Sequence, residues 1–187
     1  MILKNAYKHL KTITTHKWYV FSACCRAGIV WRGLVHDLSK FSPTEFLTNI
    51  KYYEDGRSPI NVAKEKNGYS IAWQHHKGRN PHHYEYWVDN LDMGGKPIPM
   101  PYTYAVEMIC DYIGAGKAYI GKKWTISDPL NYWYRVQRVA KIHPLTSEFI
   151  TYILTDFSQR GIDAIKKDNL KFHYDRIHSE KDHHTDK

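Results

Sequence analysis

Cysteine is scarce in this sequence, and long hydrophobic runs are absent. Three cysteines occur among 187 residues, two of them adjacent at Cys24 and Cys25, which excludes a disulfide framework and the paired cysteines of a zinc ribbon. No apolar run approaches the roughly 20 residues that a membrane-spanning helix needs. Lysine interrupts the first residues, unlike the apolar core of a signal peptide. We therefore expect a soluble, cytoplasmic protein with no membrane partner.

Positive charge exceeds negative charge, with 27 Lys and Arg against 19 Asp and Glu and a net charge of +8. This balance favours anionic partners such as nucleotides or nucleic acid, although a solvated basic surface explains it equally well. The basic residues are scattered among acidic ones rather than gathered in one stripe, so nucleic acid is the less favoured partner. The sequence points first to a phosphorylated small molecule, and it indicates no particular oligomeric state.

No segment alternates with the period of two that marks a half-buried strand, so we predict an all-α fold, a single-domain helical bundle. Periodicity and capping residues predict helices at 2–13, 14–28, 42–55, up to 77, from 82 onward, 103–120, 127–142, 145–159, 162–167 and 170–176. A further helix, which carries His36 and Asp37, is predicted to end before Ser42. Residues 57–68 are predicted to form a loop, either a mobile lid or, more commonly, an exposed connection. The helical domain is expected to span residues 1–177, followed at 178–187 by a disordered charged tail that contains His183 and His184.

An adjacent histidine and aspartate, His36 and Asp37, lie in the segment from residue 33 to residue 40. An imidazole nitrogen and a carboxylate oxygen from one place in the chain suit a divalent transition metal and leave other coordination positions open. On a helix, Lys40 would project from the same face as both residues. A cation there suits an anionic substrate such as a phosphate group. We predict that this segment forms one edge of a metal site.

Residues 69–90 contain the densest set of reactive side chains. Four of the 12 histidines fall within nine residues, at His75, His76, His82 and His83. Histidine-rich tracts without a site usually lie in low-complexity tails, whereas this one is embedded in aromatic sequence between Trp73 and Trp87. A turn at 78–81 would bring the two histidine pairs to one pocket. We therefore favour metal or phosphate chemistry here over a structural role.

His16 and Asp111 lie on the apolar faces of two further predicted helices. A histidine in such a position is more often a hydrogen-bonded core residue than a ligand. A carboxylate there is costly unless it is paired or binds a metal, and a buried salt bridge and a metal ligand are equally favoured for Asp111. Gly114 and Gly116 would let another helix approach this one closely.

The order of these donors resembles that of the HD superfamily of metal-dependent phosphohydrolases, whose helical core supplies a histidine, a His-Asp pair and a distant aspartate to one metal. The matching residues are His16, His36, Asp37 and Asp111, and the resemblance covers roughly residues 10–120. Residues 36–40, His-Asp-Leu-Ser-Lys, look like the His-Asp-x-x-Lys variant of the phosphodiesterase branch. Residues 73–76, Trp-Gln-His-His, look like the added histidine motif that several branches use for a second metal or for protonating the leaving group.

Two signatures of particular branches are absent from the sequence. No acidic residue closely follows His36-Asp37, as it does in the nucleotidase branch. The Gly-Tyr-Pro of the cyclic-dinucleotide branch has only Gly-Arg-Asn-Pro at 78–81 as a counterpart. The two histidine pairs before Glu85 also resemble small uncharacterised bacterial and phage proteins of this type, from which no activity is carried over. The substrate is therefore not assigned by the resemblance.

The resemblance implies an HD-like helical fold and a phosphohydrolase or phosphodiesterase that acts on a nucleotide or a cyclic oligonucleotide through a metal-activated water. It implies one or two divalent ions, of Mn, Fe, Co, Ni or Zn. The implied ligands are His16, His36, Asp37, His75 and Asp111. Lys40 and Arg79 would neutralise phosphate oxygens. His76, His82 or His83 would supply a further ligand or protonate the leaving group.

Other functions fit the same residues. A non-catalytic protein that binds or sequesters a nucleotide would keep the basic and aromatic residues without needing the full set of metal donors. A di-iron oxygenase would use the same histidine-rich set, as a few HD-fold proteins do. A nucleic-acid-binding protein ranks third, because the basic residues form no stripe. The presence of all four donors at separate helical positions favours the hydrolase.

Overall fold

Nine α-helices make up most of residues 2–182, the part of the chain that the computed structural model describes, with side chains through residue 179. In chain order they are α1 (Ile2–Arg26), α2 (Val30–Val35), α3 (Pro43–Lys51), α4 (Pro59–Asn67), α5 (Ile71–Lys77), α6 (Tyr102–Ile120), α7 (Asp128–Gln137), α8 (Pro144–Arg160) and α9 (Lys167–Asp182). Short 3₁₀-helices lie between them at Leu38–Phe41, Tyr84–Trp87, Leu91–Met93, Gly121–Lys123 and Gly161–Ile165. Within the described residues the β structure is limited to one isolated bridge, and no helix is long and apolar enough to cross a membrane. The prediction of an all-α fold is confirmed.

Helix α6 lies at the centre of the packing. It packs against α1, α7 and α8, and nearly all of its residues from Ala105 to Gly114 are buried. Trp133 of α7 and Phe149 of α8 are fully buried in the same core. Because Glu107 and Asp111 are also among the buried residues of α6, this core contains two carboxyl groups that need polar or charged partners.

Gly114 lets α1 approach α6 closely. A Cβ atom at this position would lie 2.9 Å from the backbone nitrogen of Val20, whereas real Cβ atoms essentially never come within 3.0 Å of another atom. Glycine is therefore required unless one of the two helices moves. The predicted close approach is confirmed at Gly114, while Gly116 faces the indole of Trp124 instead. This approach positions α1 directly beside the face of α6 that contains Asp111.

Helix α1 is continuous from residue 2 to Arg26, so the prediction that a second helix begins near Thr14 is wrong. The Thr14 hydroxyl donates to carbonyl oxygens one turn earlier in the same helix, which is how threonine behaves inside a helix rather than at a cap. The helix ends close to the predicted stop, because Gly28 takes a left-handed φ of 75°. One uninterrupted helix therefore presents His16 to the core.

Helix α3 begins as predicted but ends earlier. The Ser42 hydroxyl accepts a hydrogen bond from the backbone nitrogen of Glu45, and Pro43 is the first helical residue. Glu45 stands at the spacing of a capping box with Ser42. Its side chain does not complete one, because its carboxylate accepts hydrogen bonds from histidines of α5. The helix ends at Lys51 rather than near residue 55.

The segment predicted as a loop at 57–68 forms helix α4. Val62 and Ala63 of this segment are buried, so two apolar side chains give α4 an inward face despite the many polar residues around them. Pro59 at the first helical position and Gly68 after the last one are the usual residues at those places. The loop prediction is wrong: the segment has a polar composition typical of loops, but it also has a helix start, a helix stop and an apolar face.

The C-terminal helices follow the predicted order with different limits. Helix α7 ends at Gln137 rather than near residue 142, and α8 matches its prediction. Helix α9 continues to Asp182, through the first part of the segment expected to be a tail. Residues 183–187, with His183 and His184, lie outside the described residues.

Candidate metal centre

His36 and Asp37 lie in a turn between α2 and the 3₁₀-helix Leu38–Phe41, and not on a helix as predicted. Helix α2 ends at Val35, and Asp37 takes a φ of 55° and a ψ of 25°. It is the only non-glycine residue with a positive φ in the described part of the chain. This left-handed geometry is uncommon outside glycine, although aspartate tolerates it better than most residues, and residues held in it tend to cluster at functional sites. The turn directs both side chains inward, where His36 and Asp37 are buried.

The first donor group joins α1, this turn and α6. His16 Nε2 lies 3.2 Å from each of three atoms, namely His36 Nε2, Asp37 Oδ2 and Asp111 Oδ1. Each of these four buried residues offers one donor atom, and the donor atoms lie within 4.8 Å of one another. The structure therefore brings together the four residues to which the sequence analysis assigned one metal.

The second donor group joins the same aspartate to the histidine-rich segment. His76 Nε2 lies 3.3 Å from Asp37 Oδ1, and His82 Nε2 lies 3.5 Å from the same oxygen. His83 completes this group, again with all donor atoms within 4.8 Å of one another. Asp37 thus belongs to both groups and presents one carboxylate oxygen to each.

The turn after α5 brings the second group together. The Asn80 side-chain amide donates to the carbonyl oxygen of His76 at 2.8 Å, which fixes the turn against the end of α5. The helix predicted from His82 onward does not form, because His82 lies in the turn, His83 is extended and only a 3₁₀-helix follows. On a helix, adjacent side chains would point about 100° apart. In this turn the imidazole ring centres of His82 and His83 lie only 4.2 Å apart.

Glu107 contacts one histidine of each donor group. It is buried on α6, and its Oε1 lies 3.0 Å from His36 Nδ1 and 3.2 Å from His82 Nδ1. Its Oε2 accepts a hydrogen bond from Arg32 Nε at 2.7 Å. Burial raises the pKa of Glu107, but its contacts with His36, His82 and Arg32 outweigh burial and lower the pKa to about 2. An ionised carboxylate at Nδ1 leaves Nε2 of each ring for a metal, as in most histidine metal sites.

Glu45 has the same role for His76. It is fully buried, and its Oε2 accepts a hydrogen bond from His76 Nδ1 at 2.9 Å. Its Oε1 accepts one from His75 Nδ1 at 2.7 Å. Among the described residues His75 belongs to neither donor group. The structure therefore places His76 in the position that the sequence analysis gave to His75.

Sequence reasoning missed both orienting carboxylates. Glu107 precedes Asp111 by four residues and so lies on the same helix face, a signal that the sequence contains. Glu45 follows Ser42 at the spacing of a capping box. No local pattern distinguishes a capping glutamate from one that reaches another helix, so Glu45 could be identified only from the structure.

The protonation states of three residues of the first group suit metal binding. Burial lowers the pKa of His16 to about 4, so that its imidazole is neutral at neutral pH. Burial opposes ionisation of Asp37 and Asp111, but their contact with His36 outweighs it and lowers the pKa of both carboxyl groups below their usual range. Neutral imidazoles and ionised carboxylates are the forms that bind metals.

Neighbouring carboxylates raise the pKa of two other histidines, His36 and His76. Burial lowers the pKa of His36, but Asp37, Asp111 and Glu107 outweigh burial and raise it well above its usual range. The pKa of His76 is raised in the same way by Asp37 and Glu45, again against burial. A metal cation among these carboxylates would compete with protonation of the two imidazoles, so metal binding should release protons.

Among the described residues, four buried polar atoms of the second group have no hydrogen-bond partner, and they are Asp37 Oδ1, both ring nitrogens of His82 and His83 Nε2. Buried polar atoms in folded proteins are almost always paired. Three imidazoles and a carboxylate could together coordinate a divalent cation. This nitrogen-rich set suits Mn, Fe, Co, Ni or Zn better than Mg or Ca. The residues present therefore fit one or two transition-metal ions.

Solvent reaches this cluster beside Lys40 and Asp111. The side chain of Lys40 is 17% exposed and pairs with Asp37, and that of Asp111 is 12% exposed. The deeper histidines are more enclosed, with side chains at most 4% exposed in His16, His36, His76 and His82. Lys40 is therefore the cation that an incoming anion would meet first.

Arg79 lies away from the donor groups. Its side chain is exposed, and Nη1 donates to the carbonyl oxygen of His75 at 3.4 Å. Arg79 and His75 line a surface groove between α4 and α5. Trp73 also lines this groove, and its ring centre lies 5.8 Å from that of His76 and 4.8 Å from that of His83. One indole therefore borders both the groove and the metal cluster.

Comparison with protein families gives a match that covers most of the chain. The family is DUF5662, described as a family of unknown function, and it matches residues 5–156. This range contains every residue of both donor groups and both orienting glutamates. Comparison with curated proteins and with solved structures found no match.

Proposed function

We propose that this chain, which belongs to the DUF5662 family of unknown function, is a metal-dependent phosphohydrolase that cleaves a phosphate ester of a nucleotide. The observation that carries the proposal is the position of Asp37, whose two oxygens face two groups of histidines and carboxylates. A carboxylate shared by two metal positions is a feature of sites that hydrolyse phosphate esters.

The resemblance to the HD superfamily supports the same reaction class. The donors occur in the order that the resemblance requires, a histidine, a His-Asp pair and a later aspartate, and the fold brings them together. The second group contains three histidines from the segment 76–83. This set corresponds to the additional histidines that some branches of the superfamily use for a second metal.

The chemistry divides between bound ions and the protein's own groups. Divalent ions in these positions would polarise a water molecule and a phosphate oxygen for in-line displacement at phosphorus. Lys40 lies at the exposed edge of the cluster and would donate hydrogen bonds to phosphate oxygens as their charge shifts. Glu107 and Glu45 hold the imidazoles of His36, His82 and His76 in fixed orientations, so that little reorganisation accompanies the reaction.

The substrate class follows from charge and enclosure. The net charge of +8 and the position of Lys40 favour an anion, and the narrow exposure beside Asp111 favours a small molecule over a folded polymer. A nucleotide, linear or cyclic, is the proposed substrate. The deep burial of the donors keeps bulk water away from the reacting groups, which strengthens their electrostatic effects.

Two adjacent histidines provide a matched test of the metal centre. His76→Gln removes a donor of the second group, while His75→Gln removes a neighbour that belongs to no group. Untagged protein would be reconstituted with Mn, Fe or Zn, desalted and assayed by elemental analysis. We expect about one or two equivalents of metal in the wild type and in His75→Gln, and a loss of about one equivalent in His76→Gln.

Activity would be measured on the same samples with bis-p-nitrophenyl phosphate, p-nitrophenyl phosphate and a panel of nucleotides. Metal-dependent release of phosphate or nitrophenol that is lost in His76→Gln supports the hydrolase. Absence of metal from reconstituted wild type would overturn the metal centre. Bound metal with nucleotide binding but no turnover would overturn the hydrolase in favour of a binding protein, and iron with oxygen consumption would do so in favour of an oxygenase.

A further inference from the structure

A surface groove of suitable size for a small ligand lies outside the metal cluster. This groove, here called the outer groove, lies between α4 and α5 and has a volume of about 700 Å³. Its charged and aromatic lining residues are Lys64, Tyr69, Trp73, His75 and Arg79. Small-molecule sites in proteins typically have volumes of about 300–1,000 Å³. The groove is therefore large enough for a nucleotide.

Neither Lys64 nor Arg79 forms a salt bridge within residues 2–179. Lys64 Nζ lies over the ring of Trp73, 4.7 Å from its centre. The carboxylate of Glu85 attracts it through space but forms no salt bridge with it. In contrast, Lys66 on the same helix pairs with Glu54 at 3.0 Å. The guanidinium of Arg79 makes a single hydrogen bond, to a backbone carbonyl, within the same described range. Two cations left unpaired beside one cavity favour an anionic ligand.

Apolar surface lies next to these cations. Tyr69 is 64% exposed and Ile71 is 59% exposed, and both line the groove. Trp73 forms part of its wall. Aromatic faces of this kind stack on nucleobases, while cations beside them bind phosphate. An inorganic anion alone would leave the exposed aromatic and aliphatic surface uncovered.

The outer groove is separate from the metal cluster. The ring of Trp73 and the carboxylate of Glu45 lie between them, since Trp73 contacts His76 and His83 and Glu45 bonds to both His75 and His76. A ligand in the groove would not reach the metal donors. The ligand would therefore be bound by groups other than those that react with a substrate.

We propose that the outer groove is a nucleotide-binding site distinct from the metal centre, with the phosphate held by Lys64 and Arg79 and the base stacked on Tyr69. This proposal does not depend on the metal centre being a hydrolase. It requires only the groove, its unpaired cations and its exposed ring. Binding should therefore persist when no metal is present.

The test is isothermal titration of metal-free protein, kept in EDTA, with AMP. We expect AMP to bind the wild type, and Lys64→Ala or Arg79→Ala to weaken binding about tenfold or more. Lys66→Ala is the matched control, because Lys66 is on the same helix and outside the groove, and it should change the affinity by less than about twofold. Tyr69→Ala should also weaken AMP binding, since it removes the stacking surface.

Adenosine and inorganic phosphate serve as separate probes of the two halves of the ligand. Both should bind more weakly than AMP. Phosphate that binds as tightly as AMP, with no effect of Tyr69→Ala, would overturn the assignment to a nucleotide. The absence of AMP binding in EDTA, or AMP binding that Lys64→Ala and Lys66→Ala reduce equally, would overturn the site itself. Neither outcome bears on the metal content or hydrolytic activity of the cluster, which the His75 and His76 variants test.

Discussion

Oε1 of Glu107 lies 3.0 Å from Nδ1 of His36, and both side chains are fully buried. The same oxygen lies 3.2 Å from Nδ1 of His82, so one carboxylate orients a histidine of each donor group. Arg32 balances its charge from the other side. Changes at Glu107 should therefore affect both metal positions at once, although Glu107 belongs to neither of the two donor groups.

Glu107→Gln tests this shared role. The amide keeps the size of the side chain but removes the negative charge that both imidazoles contact. We expect metal affinity to fall about 10–100-fold at both positions, which is the usual effect of losing an orienting partner. Metal titration followed by calorimetry would measure it. Glu65→Gln, at an exposed residue of α4 paired only with Arg57, is the control and should leave metal affinity unchanged.

A loss confined to one of the two positions would contradict the shared role of Glu107. A variant that loses thermal stability to the same extent as it loses metal affinity would indicate a purely structural role for Glu107. The thermal unfolding of the metal-free variant separates these results. If Glu107→Gln unfolds at a temperature close to that of the wild type but binds metal more weakly at both positions, the orienting role is supported.

The sequence contains enough information for the fold class and for the first donor group. His16 and Asp111 are recognisable because each is a polar residue on an apolar helix face, and Gly114 marks the place where the two helices meet. The turn at Asp37 is not predictable from local pattern, since its left-handed φ is imposed by the surrounding packing. The sequence identifies His36 and Asp37 as donors but not the turn that orients their side chains.

The second donor group shows a different limit of sequence reasoning. His75 and His76 are adjacent on α5 and differ in direction by about 100° around the helix. Which of them faces Asp37 depends on how α5 rotates against α3, and that is set by contacts distant in sequence. Glu45 of α3 accepts hydrogen bonds from both. A histidine-rich tract therefore indicates a site without identifying its ligands.

Lys40→Met should separate substrate binding from metal binding. Lys40 pairs with Asp37 at the exposed edge of the cluster but donates no ligand atom. Its loss removes a cation near the metals, so metal content should be unchanged or higher. The rate constant kcat/KM for phosphate esters should fall about 100-fold, because the phosphate oxygens lose a charged donor. Lys51→Met, at an exposed position of α3, is the control, and an unchanged kcat/KM in Lys40→Met would rule out this role.

His9 should make the protein less stable in mild acid. It is buried against Phe46 and Tyr53, and neither ring nitrogen has a hydrogen-bond partner in the described part of the chain. Burial, followed by the charge of Lys40, lowers its pKa to about 4. The His9 imidazole takes up a proton near pH 6.5 in the unfolded chain but only near pH 4 in the folded chain. The free energy of unfolding is therefore undiminished by His9 above pH 6.5 and decreases as the pH falls toward 4. His9 should therefore contribute a loss of about 2 kcal/mol between pH 7 and pH 5.

Urea unfolding of metal-free protein at both pH values measures this contribution. His9→Phe should lose less stability between pH 7 and pH 5 than the wild type by about 2 kcal/mol. Phe46→Leu perturbs the same contact without a titrating group and should lower stability equally at both pH values. The same pH dependence in His9→Phe as in the wild type would show that His9 does not titrate in this way.

Gly114→Ala should test whether the approach of α1 to α6 builds the first donor group. The added Cβ would lie 2.9 Å from the backbone nitrogen of Val20, so the helices must separate, which we expect to cost about 1–3 kcal/mol of stability. The same movement would separate His16 on α1 from Asp111 on α6 and weaken metal binding in the first group more than in the second. Gly78→Ala is the control, since its Cβ would make only an ordinary contact of 3.5 Å. Equal stability of the two variants, or equal metal affinity at both positions in Gly114→Ala, would contradict the idea that this helix contact positions the donors.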